Sequence, residues 1–415
     1  MQALATEFGN SFLFFSIVLL LGMIFWPINL YLRDKKKPDA EIIANSRHIK
    51  GFIALIAAAN EEIGIEAAVR SLRRDRHIEF ATVIVNNSKD HTMAILRNLQ
   101  QEFADDWLIA VEMKNNKYKK AGALNHGYAL IKDALSKRGQ NPTDYALLSL
   151  DADTIISRNT CGKILETFSR DERAAGVCVF CAPQDINTLK HGAKPKLSER
   201  ILHAYQEVEY SMAFTTRYAQ NPYVKVLPGA CCAYRIGVLE YVEESFGAIW
   251  KLSDLAEDAD LTRKVQELGF TTPTCGAIAF TDIPLDFKAL YRQRIRWYSG
   301  AMVMLRRQLR KRFSWRDLCE LITICIQPLF IPVTVAIIAI LATQPSLAVW
   351  FGIPFFVTLS FNATRYIARR RRIPTSPLGY IIAFSPILMM PYGLWEGVIW
   401  VHSIIRSYSK REQRW

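Results

Sequence analysis

Residues 145–154 read Tyr-Ala-Leu-Leu-Ser-Leu-Asp-Ala-Asp-Thr. A short, mostly apolar run of this length predicts a buried strand, and it ends in two acids one residue apart, Asp151 and Asp153. Paired carboxylates of this kind supply hard oxygen donors suited to Mg²⁺ or Mn²⁺. A lone D-x-D arises often by chance, so its weight comes from its place at the end of an apolar strand. The same pattern recurs upstream. Phe52 to Ala58, Ala81 to Val85 and Leu108 to Val111 are apolar runs, and amphipathic helix-length segments reach to Arg74 after the first and to Phe103 after the second. Strands alternating with helices over residues 51–282 predict an α/β fold with a largely parallel, Rossmann-like sheet covered by helices.

In such sheets ligands bind beyond the carboxyl ends of the strands. The residues found there are Ala59-Asn60-Glu61-Glu62, Asn86-Asn87-Ser88-Lys89-Asp90 and Asp151-Ala152-Asp153, and they are expected to meet in one crevice. No G-x-G-x-x-G or G-x-x-x-x-G-K-[ST] accompanies them, so neither a dinucleotide fingerprint nor a P-loop is indicated. A crevice of carboxylates repels a diphosphate unless a divalent cation lies between them. After the third strand comes Lys120-Ala121-Gly122-Ala123-Leu124-Asn125, where a lysine can meet a phosphate and small residues permit close backbone approach. An ordinary basic helix start would read the same way.

The chain has 415 residues, half of them hydrophobic, and a formal net charge of +13. Residues 11–32 contain no ionisable side chain, are long enough to span a bilayer, and run directly into Arg33, Lys35, Lys36 and Lys37. This is the pattern of a retained anchor with its following chain in the cytoplasm. Residues 318–343, 345–368 and 377–405 are also long enough to span. The last carries Pro386 and Pro391 and either crosses once or forms a hairpin that returns to the cytoplasm. The expected organisation is an N-terminal transmembrane helix over 11–32, a cytoplasmic α/β domain over 48–284, an amphipathic interface helix over 285–312 and a C-terminal transmembrane region over 317–406. The positive charge gathers beside these segments, as it does for contact with anionic lipid headgroups. No nucleic-acid-binding signature accompanies it, so nucleic acid is excluded as the partner. The Cys178/Cys181 and Cys231/Cys232 pairs lack companion ligands at zinc spacing and read as reduced, buried thiols.

ANEE, NNSKD, KAGALN, LDADT, LPGACCAYR, AEDADLTRKVQELGF and RQRIRW, in this order from Phe52 to Arg312, resemble the motifs of membrane-embedded, processive family 2 glycosyltransferases, the group of cellulose, hyaluronan, chitin-oligosaccharide and poly-N-acetylglucosamine synthases. The resemblance implies a GT-A fold, a UDP-sugar donor, Mg²⁺ or Mn²⁺, inversion at the anomeric carbon, and export of a glycan through the membrane helices of a multi-pass protein of the plasma (inner) membrane. A small membrane accessory subunit is compatible with it. By the same resemblance the donor site comprises Asn60, Glu61, Asn86, Asp90, Lys120, Asn125, Asp151 and Asp153, with Asp153 on the metal. This chain departs from the family in having Asn86 where an Asp is usual and Ala59 where an aromatic is frequent.

Inverting transfer needs a carboxylate to take the acceptor's proton. Glu257, Asp258 and Asp260 stand at a helix start, where acids are favoured anyway; the resemblance selects Asp258 as the base. It also implies Gly229, Gln293, Arg296 and Trp297 as the acceptor and channel residues, the last three on one face of a basic amphipathic helix. Two alternatives stand beside the polymerase reading: a non-processive membrane transferase acting on a lipid or short oligosaccharide, and a degenerate scaffold that has lost donor binding.

Overall fold

The computed structural model describes residues 38, 48–252, 256–311, 343 and 376–408. The expected spans at 11–32 and 345–368, and all but Thr343 of the one at 318–343, lie outside them.

Four parallel strands carry the first half of the domain: β1 (Gly51–Ala58), β2 (Ile78–Asn86), β3 (Leu108–Met113) and β4 (Tyr145–Asp151). They are joined by helices α1 (Ile65–Arg73), α2 (Thr92–Phe103) and α3 (Lys119–Lys137). Phe52, Ile53, Ala54, Leu55 and Ile56 of β1 are wholly buried, as expected of a strand covered on both faces by helices. The second half departs from simple alternation. After β5 (Ile155–Ile156) and α4 (Thr160–Arg170) come β6 (Gly176–Pro183), the short α5 (Ile186–Leu189) and the long α6 (Leu197–Ala219). Then follow β7 (Cys231–Arg235), α7 (Ile236–Phe246), α8 (Glu257–Glu267) and β8 (Thr274–Thr281).

The sheet order is β3-β2-β1-β4-β7-β6-β8-β5. Because β7 is antiparallel to both β4 and β6, and β6 is parallel to β8, strands β6 and β8 point the same way as β4. Their carboxyl ends therefore share an edge with those of β1, β2 and β4. At that edge the turns after β1, β2 and β3 place Asn60, Asn87 and Asn115 in the left-handed region, at φ 60°, 52° and 60°. Asparagine tolerates this conformation better than other side chains that bear a Cβ.

The expected interface helix is α9 (Phe287–Lys311). The last expected span is not one helix. It consists of α10 (Pro377–Phe384) and α11 (Pro386–Tyr408), separated at Ser385, which precedes Pro386. Ile382 and Ala383 of α10 pack against Ala204 and Val208 of α6, while Leu290 of α9 packs against Tyr392 of α11. Among the described residues no helix is long and apolar enough to cross a membrane. Cys161, Cys178, Cys181, Cys231, Cys232 and Cys275 are free and buried, in keeping with the reading of reduced thiols.

Candidate active site

Asp151, the last residue of β4, accepts a 2.6 Å hydrogen bond from Lys120 Nζ at the start of α3. The same ammonium lies 3.4 Å from Glu257 Oε1. Burial works against the charged lysine, but Asp151, Glu257 and Asp258 outweigh it and hold its pKa above the ordinary lysine value. Lys120, expected to face a phosphate, is thus held among acids.

Asp258, in the first turn of α8, accepts a 3.0 Å bond from Gly229 N–H at Oδ2 and a 2.8 Å bond from Ala259 N–H at Oδ1. Burial and the neighbouring Glu257 push its carboxyl above the usual range, while Lys120 and the two amides oppose the rise. A Cβ at Gly229 would stand 3.1 Å from Lys120 Nζ and 3.4 Å from Asp258 Oδ2, so glycine there keeps the approach to both charges open. A small pocket lined by Lys120, Gly229, Trp250, Glu257 and Asp258 lies at this junction.

Around the second aspartate of D-x-D, Asp153 Oδ1 accepts 3.2 Å hydrogen bonds from the hydroxyls of Thr154 and Thr281. Burial and the charges of Asp151 and Asp282 push it up to about 7. Burial, then Asp153, Asp151, Asp282 and Asp90, push Glu61 up to about 8. Asp282, raised in turn by burial, went unread in the sequence, although it directly follows the apolar β8 as Asp151 closes β4. Its signal was the same one; what was missing was the direction of β8.

Crowded carboxylates of this sort fit a divalent cation, although among the described residues no group of three or more His, Cys, Asp or Glu side chains encloses one. The crowding has a measurable consequence. With folded pKa values raised to about 7 and about 8, these two acids keep protons that the unfolded chain has already lost above roughly pH 4.5. Their contribution to stability is full below that pH and disappears as pH rises through 7 and 8. The Tm of the full chain in a chelator should fall between about pH 5 and 8.5, and Mn²⁺ should raise Tm most at the upper end. A Tm with the same pH dependence in Glu61→Gln/Asp153→Asn would contradict the crowding.

Several expected donor residues are committed elsewhere. Asp90 accepts from Glu62 N–H at 3.0 Å and from Thr92 N–H and Oγ1 at 3.1 and 2.6 Å; burial raises its carboxyl, but these bonds together bring it below its ordinary value. It braces the first two strand-end turns. Asn60 does likewise, its Oδ1 accepting from Lys89 N–H at 2.9 Å. Asn86 is buried, and its side-chain oxygen accepts from Asn116 Nδ2 at 2.9 Å. Asn125 donates to Trp250 O at 2.7 Å and accepts from Trp250 N–H at 3.4 Å, tying α3 to the loop ahead of the Glu257-Asp258 pair.

Along α9, Gln293 Oε1 accepts from Arg294, Arg296 is exposed, and Trp297 is 39% exposed. The buried cation of this motif is Arg294, with no exposed surface, 2.6 Å from Glu209 Oε2 of α6 and 4.3 Å beneath the Trp297 ring. Tyr392 of α11 donates to the same Glu209 oxygen at 2.6 Å. The structure thus brings together Lys120, Asp151, Gly229 and Asp258, and groups Glu61 and Asp153 with Asp282, while joining the Gln293–Trp297 face to the C-terminal helices.

A mannosyltransferase from Pyrobaculum calidifontis, solved with GDP-Man and Mn²⁺, superposes with a TM-score of 0.51 at 14% identity, over 96% of this chain and 99% of that one. TarS 1–349 of S. aureus, solved with UDP-GlcNAc, gives 0.41 at 11% identity, over 86% and 90% of the two chains. No curated protein matches by sequence. The fold is accordingly a GT-A-like α/β fold, and the match of residues 50–300 to the family model described as "Glycosyltransferase like family 2" means that the chain belongs to that glycosyltransferase family.

Proposed function

We propose that the protein transfers a sugar from a UDP-sugar, with inversion, to the end of a growing β-linked glycan, of N-acetylglucosamine or glucose, and exports the product through its own membrane segments. The observation that carries this reading is the meeting of Lys120, Asp151, Gly229, Glu257 and Asp258 at the edge where Asp153 also lies. In the transfer the acceptor hydroxyl oxygen forms a bond to the anomeric carbon as the bond from that carbon to the diphosphate breaks. Asp258 takes the hydroxyl proton. The bond from Gly229 N–H orients its carboxylate, and Lys120 opposes the rise that burial and the charge of Glu257 impose on it. Asp153 would hold Mg²⁺ or Mn²⁺, which neutralises charge on the departing diphosphate. Trp297 offers a partly exposed ring on which an acceptor sugar can stack.

A second reading, non-processive transfer to a lipid or short oligosaccharide, is favoured by the division of residues 377–405 at Ser385. The eight-residue α10 extends about 12 Å at roughly 1.5 Å per residue, against about 30 Å of hydrocarbon, and packs on α6 instead. UDP release by the purified chain across a panel of UDP-sugars, with sizing of the radiolabelled product, tests both. Turnover of one UDP-sugar into long chains is expected. A product extended by one sugar selects the second reading, and no release from any donor defeats both.

A further inference from the structure

A line of buried and half-buried polar contacts runs from the D-x-D turn to the C-terminal helices. Gln184, just after β6 and 6% exposed, donates from Nε2 to the carbonyl of Asp153 at 2.9 Å. Its own carbonyl lies 2.8 Å from Nε2 of His203, a residue of α6 that is 4% exposed. A carbonyl only accepts, so the His203 Nε2 carries a proton and its Nδ1 faces Glu207 Oε1 at 3.6 Å. Glu207, one turn further along α6, accepts from Ser376 at both N–H, 3.1 Å, and Oγ, 2.5 Å. Ser376 Oγ in turn accepts from Gly379 N–H at 3.0 Å and so caps α10. None of these four side chains is among the residues that would touch substrate in the proposed reaction, and a surface ion pair would explain none of them. The hydrogen-bonded members of this line are held in one arrangement, because breaking one leaves a buried partner unpaired, and the 3.6 Å step from His203 to Glu207 joins them by charge when the imidazole carries a second proton.

We infer that Gln184, His203 and Glu207 are positioning residues that fix the Asp153 turn, and that seating of Ser376 on Glu207 completes them, so that docking of α10 sets the geometry of the donor site. The inference rests on the reading of Asp153 as a donor-site residue. Asp153 is held on its other side by Thr154 and Thr281, so Gln184 supplies the contact that ties its main chain to α6.

The test is a double-mutant cycle on the full-length chain, because coupling between residues that do not touch is what separates a relay from two independent contacts. Affinity for UDP with Mn²⁺ is measured by calorimetry for the unaltered chain, His203→Ala, Ser376→Ala and the double variant. Hydrogen exchange is followed in parallel over residues 150–157. Each single variant is expected to weaken UDP–Mn²⁺ binding about tenfold and to speed exchange in this turn. The double variant should be little worse than either single one. KM for the donor should rise more than kcat falls. Losses that multiply in the double variant, or an unchanged turn in Ser376→Ala, overturn the inference. If His203→Ala does not fold, His203→Gln, which can still donate to Gln184 O but no longer faces Glu207, replaces it; exchange in the turn should then speed about as much as in Ser376→Ala, and adding Ser376→Ala should change it no further, whereas a near-normal turn overturns the inference. If the unaltered chain fails to bind UDP, the donor reading fails; the exchange data alone then judge the link between Ser376 and the turn.

Discussion

Asp258→Asn is expected to lower kcat by roughly 10²- to 10⁴-fold, the range that a positioned general base contributes, with donor affinity nearly unchanged and a modest fall in Tm. The substitution is close to isosteric, and the amide oxygen can still accept from Gly229 N–H, but the amide nitrogen then faces Ala259 N–H, which costs about 1–3 kcal/mol. What it removes is the capacity to take a proton from the acceptor. Glu257 gives a second handle on the same group. Its charge is, after burial, the largest cause of the raised Asp258 pKa, and the neutral Glu257→Gln should therefore move the acid limb of the pH–rate profile to lower pH. Turnover of UDP-sugar by Asp258→Asn at the parental rate would remove Asp258 from the role of base, leaving the adjacent Glu257 as the next carboxylate to test.

The second large effect is structural. Arg294→Met should cost about 3–5 kcal/mol, as breaking one side of a buried ion pair does, which at about 2–4 °C per kcal/mol is a fall in Tm of roughly 10 °C. The guanidinium has no exposed surface and serves three neighbours at once: Glu209 on α6, Gln293 beside it and the Trp297 ring above it. Without it Glu209, whose side chain is 24% exposed, keeps among the described residues the hydrogen bond from the Tyr392 hydroxyl. Arg294→Met/Glu209→Met should recover part of the loss, because an apolar pair of similar volume carries no unpaired charge. Calorimetry or thermal melts on the three proteins give the comparison. A loss under about 1 kcal/mol, the level of a surface pair, would mean that the contact is solvated.

Much of the site was legible because parallel strands place the residues that follow them on one edge. Asp151, Asp153 and Glu61 are found by that rule alone, and Asp258 and Gly229 by the order of the motifs. For Asp90, Asn60 and Asn125 the sequence leaves two roles open for a physical reason. A polar side chain at a strand end can face a ligand or brace the next turn, and spacing is the same in both cases. Asp90 and Asn60 brace turns, and Asn125 clasps the main chain of Trp250, 125 positions away.

Sequence by itself determined the α/β alternation, the acids at the end of β4, the run of motifs that defines the family, and the basic helix after them. Those features are local, set by periodicity and by which residue follows which. Only the tertiary structure decided that Asp282 joins the Asp153 group, since that depends on β7 reversing the sheet twice between β4 and β8. It also decided that Lys120 is shared by Asp151 and Glu257, that Arg294 and not Arg296 is the buried cation, and that His203 lies between Gln184 and Glu207. The contacts of Lys120 with Asp151 and Glu257, of Arg294 with Glu209 and of His203 with Gln184, 2.6–3.4 Å long, join chain segments that spacing along one dimension does not bring together, and the burial that gives them their strength exists only once the helices have closed over the sheet.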